Sequence, residues 1–244
     1  MARYVEITKL REEEIAKLIE LLYNRSKGFE DPKLILIGGY GLRAFIPFAR
    51  STRDCDFVVK KDKGWQLDEI EKWFSGEISI ETIEKKDSLG YMRCIKLAKV
   101  GGKRMRVSLD IMEGEVTGRE EKEVVIIDEM FVSGSSKTKI SIADKGIDVR
   151  VPSYLDYFIL KVVSARPSDV RDIATLVWRN GMPKGMKRRV GQLMPYPDLF
   201  GKKIESLLSI IEDKRFLHSW RGTFMTTDFN EDAKKSVIEE LSKL

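Results

Sequence analysis

Two aspartates, Asp54 and Asp56, stand two residues apart in Arg50-Ser51-Thr52-Arg53-Asp54-Cys55-Asp56-Phe57-Val58-Val59, where a strand-like apolar run begins. In a strand, residues i and i+2 project from the same face, so both carboxylates are expected side by side at the mouth of a hydrophobic segment. Like charges held that close call for a cation or a shared proton, because desolvating two ionised neighbours is costly. Upstream, the apolar run Leu34-Ile35-Leu36-Ile37 closes on Gly38-Gly39. Backbone amides at such a glycine turn suit a phosphate, and a divalent cation suits the paired acids. One short segment thus offers a phosphate cradle and a metal site, the chemistry that nucleotidyl transfer requires.

At 244 residues and 42% hydrophobic composition, the chain is long enough for one large domain or two small ones with an ordinary core. Lys and Arg number 44 against 39 acids, a formal charge of +5, and the excess is local. Between Gly181 and Arg221 there are nine Lys/Arg and four acids, so this segment alone carries +5 and the remainder is balanced. Any attraction for polyanions is therefore expected in the C-terminal part. Cys55 and Cys94 lie in strand-like patterns without CxxC spacing, as buried thiols of a reducing compartment would. With no leader-like start and no apolar run near bilayer length, the expectation is a cytoplasmic protein without membrane contact. Charged residues make up 34% of the chain while Gln, Asn and His are scarce, a balance resembling that of proteins from hot environments.

Hydrophobic periodicity predicts a helix over 8–27, with Ile15, Leu18, Ile19 and Leu22 on one face. A strand over 34–37, a glycine turn and a short helix ending near Pro47 follow, then a strand over 54–60, a helix over 67–74 and a strand within 78–83. Residues 91–100 and 104–112 read as a hairpin turning at Gly101-Gly102. In its second strand Arg104, Arg106, Ser108 and Asp110 share one face, while Met105, Val107, Leu109 and Ile111 share the other. Short β segments are expected from 123 to 149. Beyond Pro152 the period becomes helical over 154–165, 169–178, 204–211 and 232–244, which sets a domain boundary near residue 150.

Gly38-Gly39, the pattern Arg50-x-Thr52-x-Asp54-x-Asp56 and the strand-borne Asp110 in Leu109-Asp110-Ile111 together resemble the DNA polymerase beta-like nucleotidyltransferase superfamily. Lys161-Val162-Val163-Ser164-Ala165-Arg166 followed by Asp169-Val170-Arg171-Asp172 is similar to the helical segment of the AbiEii-type toxin nucleotidyltransferases. The resemblance covers roughly residues 33–180. It implies an α+β chain: a nucleotidyltransferase-type mixed β-sheet domain with flanking helices over 1–150, plus a C-terminal helical domain over 151–244. It also implies Asp54, Asp56 and Asp110 as catalytic ligands of Mg2+ or Mn2+, with the nucleotide in a cleft between the domains. By the same analogy Gly38 and Gly39 cradle the terminal phosphates, Thr52 adds a hydroxyl, Arg50 neutralises charge, Lys161 contacts the triphosphate, and Asp172 orients Lys161 or closes the cleft. Many relatives carry Gly-Ser where this chain has Gly38-Gly39. The partners implied are a nucleoside triphosphate, an RNA acceptor such as a transfer-RNA end, and a protein antitoxin.

Other readings stand beside this one. Asp110 can be a structural acid paired with Arg106, and Lys161 with Asp172 a helix-surface ion pair. Tyr196, Phe200, Phe216 and Trp220 in the basic segment can stack bases, or simply form core. His218 is assigned a structural place, and no His/Cys cluster supports zinc. Gly39-x-Gly41-x-x-Ala44 with Asp62 beyond the next strand fits a dinucleotide fingerprint, although the later hairpin replaces the parallel units such a fold needs. A third reading keeps the fold as a non-catalytic module that binds RNA or protein.

Overall fold

The computed structural model describes residues 2–48, 50–61, 66–75, 80–86, 90–100 and 103–244. The chain forms two compact units, one of residues 1–47, 51–115 and 127–152 and one of residues 48–50, 116–126 and 153–244. Two short segments, Phe48–Arg50 and Val116–Ile126, thus group with the C-terminal helices.

The first unit begins with helix α1 (Ala2–Arg25), which starts ahead of the expected residue 8. Its stripe Ile15, Leu18, Ile19 and Leu22 is fully buried, each side chain contributing about 1.5–3 kcal/mol. Ser26 ends the helix by donating to the Leu22 carbonyl at 2.6 Å and accepting from the Phe29 amide at 3.0 Å. Strand β1 (Leu34–Ile37) runs directly into a single helical turn, α2 (Gly38–Gly41), and a 3-10 turn over Leu42–Ala44. The glycine pair is therefore the first turn of this short helical segment, where a separate turn ahead of a helix was expected.

Strand β2 (Asp54–Val59), helix α3 (Gln66–Phe74), and strands β3 (Ile80–Lys86), β4 (Tyr91–Val100) and β5 (Lys103–Glu113) complete a five-stranded sheet in the order β1-β2-β5-β4-β3. β2 and β5 are parallel and the other pairs antiparallel, so the sheet is mixed. The antiparallel β1–β2 pair is incompatible with the dinucleotide-binding alternative, which needs a parallel βαβ unit at that point. Asp62 of that reading and the expected Gly101-Gly102 turn lie outside the described residues.

One face of the sheet carries Leu34, Leu36, Cys55, Phe57, Val107, Leu109 and Ile111 into a core shared with α1. Two further strands, β8 (Ser136–Ile142) and β9 (Lys145–Val151), form an antiparallel hairpin whose Ile140, Ile142, Ile147 and Val149 join that core. Strands β6 (Glu115–Thr117) and β7 (Val124–Ile126) and the short helix α4 (Glu129–Ser133) precede this hairpin. Cys55 and Cys94 are free, buried thiols.

The second unit is built on helices α5 (Tyr154–Ser164), α6 (Pro167–Asn180), α7 (Met186–Leu193), α8 (Asp198–Glu212), α9 (Phe216–Phe224) and α10 (Glu231–Leu241). Ser153 caps α5 by accepting from the Asp156 amide, and Pro167 occupies the first turn of α6, where its missing N–H costs nothing. Trp220 is wholly buried, stacked on Phe229 at 4.7 Å between ring centres, and its indole donates to Thr175 Oγ1 at 2.8 Å. Phe200 and Phe216 are likewise core, whereas Tyr196 is half exposed. Helices α7 and α9 were not anticipated, since Gly185, Pro195 and Pro197 around the first, and the short span of the second, obscure the period. No described helix is long and apolar enough to cross a membrane.

Candidate active site

The parallel register of β2 and β5 places Asp56 beside Asp110 and Asp54 beside Ser108. Paired residues on neighbouring strands project to one side, so the three acids share the sheet face opposite the core. Asp54 is exposed, Asp56 half-buried and Asp110 6% exposed. Ser108 Oγ donates to Asp54 Oδ1 at 2.7 Å and fixes that carboxylate. Behind them, burial first and then the negative charges of Asp56, Asp110 and Asp54 push the Cys55 thiol far above its ordinary range.

Antiparallel pairing on the other side of β5 sets Arg93 opposite Asp110. Its guanidinium makes a two-pronged ion pair, Nε to Oδ1 at 2.8 Å and a terminal nitrogen to Oδ2 at 2.6 Å. This pairing raises the Arg93 pKa, the hydrogen bond to Asp110 being the largest cause. Tyr91 is pushed up to about 12, by burial first and then by the charge of Asp110. Asp110 is therefore paired in this structure, with Arg93 where Arg106 had been considered. The oxygen donors fit a hard divalent cation in type, while their positions are those of a set already carrying one guanidinium. Among the described residues, no three His, Cys, Asp or Glu side chains converge as a metal-holding group.

The diglycine segment is shaped by what lies against it. Gly38 has φ of +63°, and a Cβ there would sit 1.9 Å from Asp56 Oδ2, so both backbone and space demand glycine. At Gly39 a Cβ would meet Thr52 Cγ2 at 2.8 Å. Thr52 thus fills the room that a side chain at position 39 would need, a steric reason for the second glycine. The Tyr40 hydroxyl donates to the Thr52 carbonyl at 3.3 Å and ties the two segments together. Gly38, Gly39, Thr52, Asp54, Asp56 and Asp110 all belong to the first unit.

Arg50, Lys161 and Asp172 meet within the second unit. Lys161 Nζ donates to Asp169 Oδ1 at 2.8 Å and to Asp172 Oδ2 at 2.9 Å. Asp172 also receives Arg50, Nε to Oδ1 at 3.1 Å and a terminal nitrogen to Oδ2 at 3.0 Å. Lys161 is 5% and Asp172 0% exposed, so this is an interior network, unlike the surface ion pair considered above. Burial works against the Lys161 charge, yet Asp172, Tyr157 and Asp169 raise its pKa overall. Burial likewise opposes ionisation of Asp169, and Lys161, with the Ser164 hydroxyl and the Arg166 amide, more than compensates, so its pKa falls. The side chain that emerges from this network is Arg50, whose guanidinium is held in one plane by Asp172.

Arg93, Asp169 and Ser108 complete these arrangements without having been assigned roles in advance. For Arg93 a signal existed: strand alternation with Met92 and Cys94 buried, and an expected turn at Gly101-Gly102 that would set 93 opposite 110.

The solved structure of JHP933 from Helicobacter pylori is similar at 16% identity and a TM-score of 0.46, with 94% of each chain covered. A second H. pylori structure, solved as a candidate nucleotidyltransferase, is similar at 15% identity and a TM-score of 0.46, covering 94% of this chain and 97% of its own. No curated protein matches. The sequence profile described as "Nucleotidyl transferase AbiEii toxin, Type IV TA system" matches residues 20–184, well over half of the sequence, and the chain belongs to that family.

Proposed function

We propose that the protein transfers a nucleoside monophosphate from a nucleoside triphosphate to an acceptor hydroxyl on RNA, such as a transfer-RNA end, as the toxin of a toxin–antitoxin pair. The observation that carries this is the β2–β5 register, which sets Asp54, Asp56 and Asp110 on one sheet face with Gly38 packed against Asp56. The family supports the reaction class and an antitoxin partner.

Asp54, Asp56 and Asp110 would hold Mg2+ or Mn2+, which when bound neutralises phosphate charge and acidifies the attacking hydroxyl. Gly38 and Gly39 present amides to the terminal phosphates, and Thr52 adds its hydroxyl there. Within the second unit Asp172 fixes the plane of the Arg50 guanidinium, a fork suited to phosphate oxygens, and Lys161 holds the same Asp172 carboxylate. Lys161 on this account positions other groups, since its ammonium is spent on Asp169 and Asp172. In the transfer, the acceptor oxygen bonds to the α-phosphorus, pyrophosphate leaves, and the hydroxyl proton passes to an acid of the trio.

The test is transfer of label from each of the four α-labelled triphosphates to total RNA with Mg2+ or Mn2+. Transfer that vanishes in Asp56→Asn while the melting curve is retained is expected. Full turnover in that variant would remove the acids from the reaction.

A further inference from the structure

An open pocket of about 550 Å3 adjoins Asp54 and Ser108 in the first unit, and its lining is dominated by arginine. Arg11, Arg53, Arg93, Arg104 and Arg106 line it, with Asp54 the one carboxylate among the lining residues. Arg93 is committed to Asp110, but the other four form no salt bridge among the described residues. Arg11 Nε is moreover buried without a hydrogen-bond partner. Guanidinium groups that outnumber the carboxylates among them repel one another and concentrate anions, and their forked donors match phosphate oxygens.

We infer that this pocket holds the sugar–phosphate backbone of the acceptor, a single-stranded nucleic acid whose terminal hydroxyl is delivered to the aspartates. The assignment rests on the nucleotidyl-transfer reading above, and the sheet order decides which substrate lies where. β2 carries Asp54 and Asp56, β1 with the diglycine segment flanks it on one side, and β5 with Arg104 and Arg106 flanks it on the other. In-line transfer needs the leaving pyrophosphate and the incoming hydroxyl on opposite sides of the reacting phosphorus. With the donor phosphates on the diglycine flank, the arginine flank is left for the acceptor. Arg104 and Arg106 are exposed on one face of β5, about 6.8 Å apart along the strand, a step comparable to that between successive phosphates of an extended strand. Only Ile7 and Met105 in the lining are apolar, so the pocket suits a charged backbone.

Fluorescence anisotropy of the full chain with a short 3′-hydroxyl single-stranded RNA, run beside titration with a fluorescent triphosphate analogue, tests this. The Arg104→Ala/Arg106→Ala variant is expected to bind RNA about tenfold or more weakly, with a salt slope smaller by about 1.4, and to bind the triphosphate as before. Arg106→Glu alone, at an exposed position, should weaken RNA further than Arg106→Ala. Unchanged RNA affinity in these variants overturns the inference, and so does weakened triphosphate binding with RNA affinity intact, which would make the pocket a donor site. Label transfer separates the two claims. A wild-type chain that moves no label yet needs these arginines to bind RNA refutes the reaction alone, whereas transfer with arginine-independent RNA binding refutes the pocket alone.

Discussion

Arg93 grips both oxygens of Asp110 at 2.8 and 2.6 Å, so the third acid of the trio already carries a cation of the protein's own. A guanidinium and a divalent ion compete for the same lone pairs. Arg93→Gln is therefore expected to tighten Mn2+ binding about tenfold, read by calorimetry. The same change should lower stability by about 1–2 kcal/mol, because Asp110 is left buried while Arg93 is partly exposed. Weaker Mn2+ binding in the variant would mean that Arg93 supports the ion.

Gly38→Ala combines a disfavoured backbone angle with a direct collision against Asp56. The expected cost is about 1–3 kcal/mol in urea unfolding. Transfer should be lost in addition, because Asp56 must move to admit the methyl group. Gly181→Ala shares a positive φ but meets nothing within 4 Å, so it controls for strain alone. Equal effects of the two variants on transfer would refute the packing explanation.

Lys161→Met leaves Asp169 and Asp172 buried without their shared ammonium, and is expected to cost about 3–5 kcal/mol. The gap between wild type and variant should depend on pH at both ends. Lys161 has a raised folded pKa, so its contribution is complete below the unfolded value of 10.5 and fades as pH rises through the folded one. Asp169 has a lowered folded pKa, so its contribution is complete above 3.8 and fades as pH falls through the folded value. A gap that is flat from about pH 5 to 9 and closes outside that window, measured by denaturant midpoints, is the expected result.

Chelation should stop transfer, and Mg2+ or Mn2+ should restore it, if the three aspartates hold the ion. The same chelation should leave the melting temperature of the chain essentially unchanged, since the Asp110 charge is compensated by Arg93 without metal. Transfer at full rate in excess chelator would dismiss the metal role.

The sequence by itself determined most of the strands and helices and which residue types each presents. Alternation placed Met105, Val107, Leu109 and Ile111 in the core and Arg104, Arg106, Ser108 and Asp110 on the opposite face, because a strand side chain has only two directions available. Gly38-Gly39 and the paired acids were legible because backbone freedom and like-charge proximity are local properties. The pairing of Arg93 with Asp110 was within reach too, since a turn expected at Gly101-Gly102 would set 93 opposite 110.

What only the tertiary structure decided are the pairings between segments far apart in the chain. Asp56 meets Asp110 across 54 residues through a parallel strand pair, and parallel register is set by packing on both faces, which no turn records. Lys161, expected at a triphosphate, is instead enclosed between Asp169 and Asp172, because helix periodicity gives the face of a residue but not the charge waiting opposite it. The pocket of arginines likewise gathers Arg11, Arg53, Arg104 and Arg106 from three segments of the chain. Charge counting points to the C-terminal segment, because a count along the chain sees only net charge, whereas folding also gathers cations from distant positions.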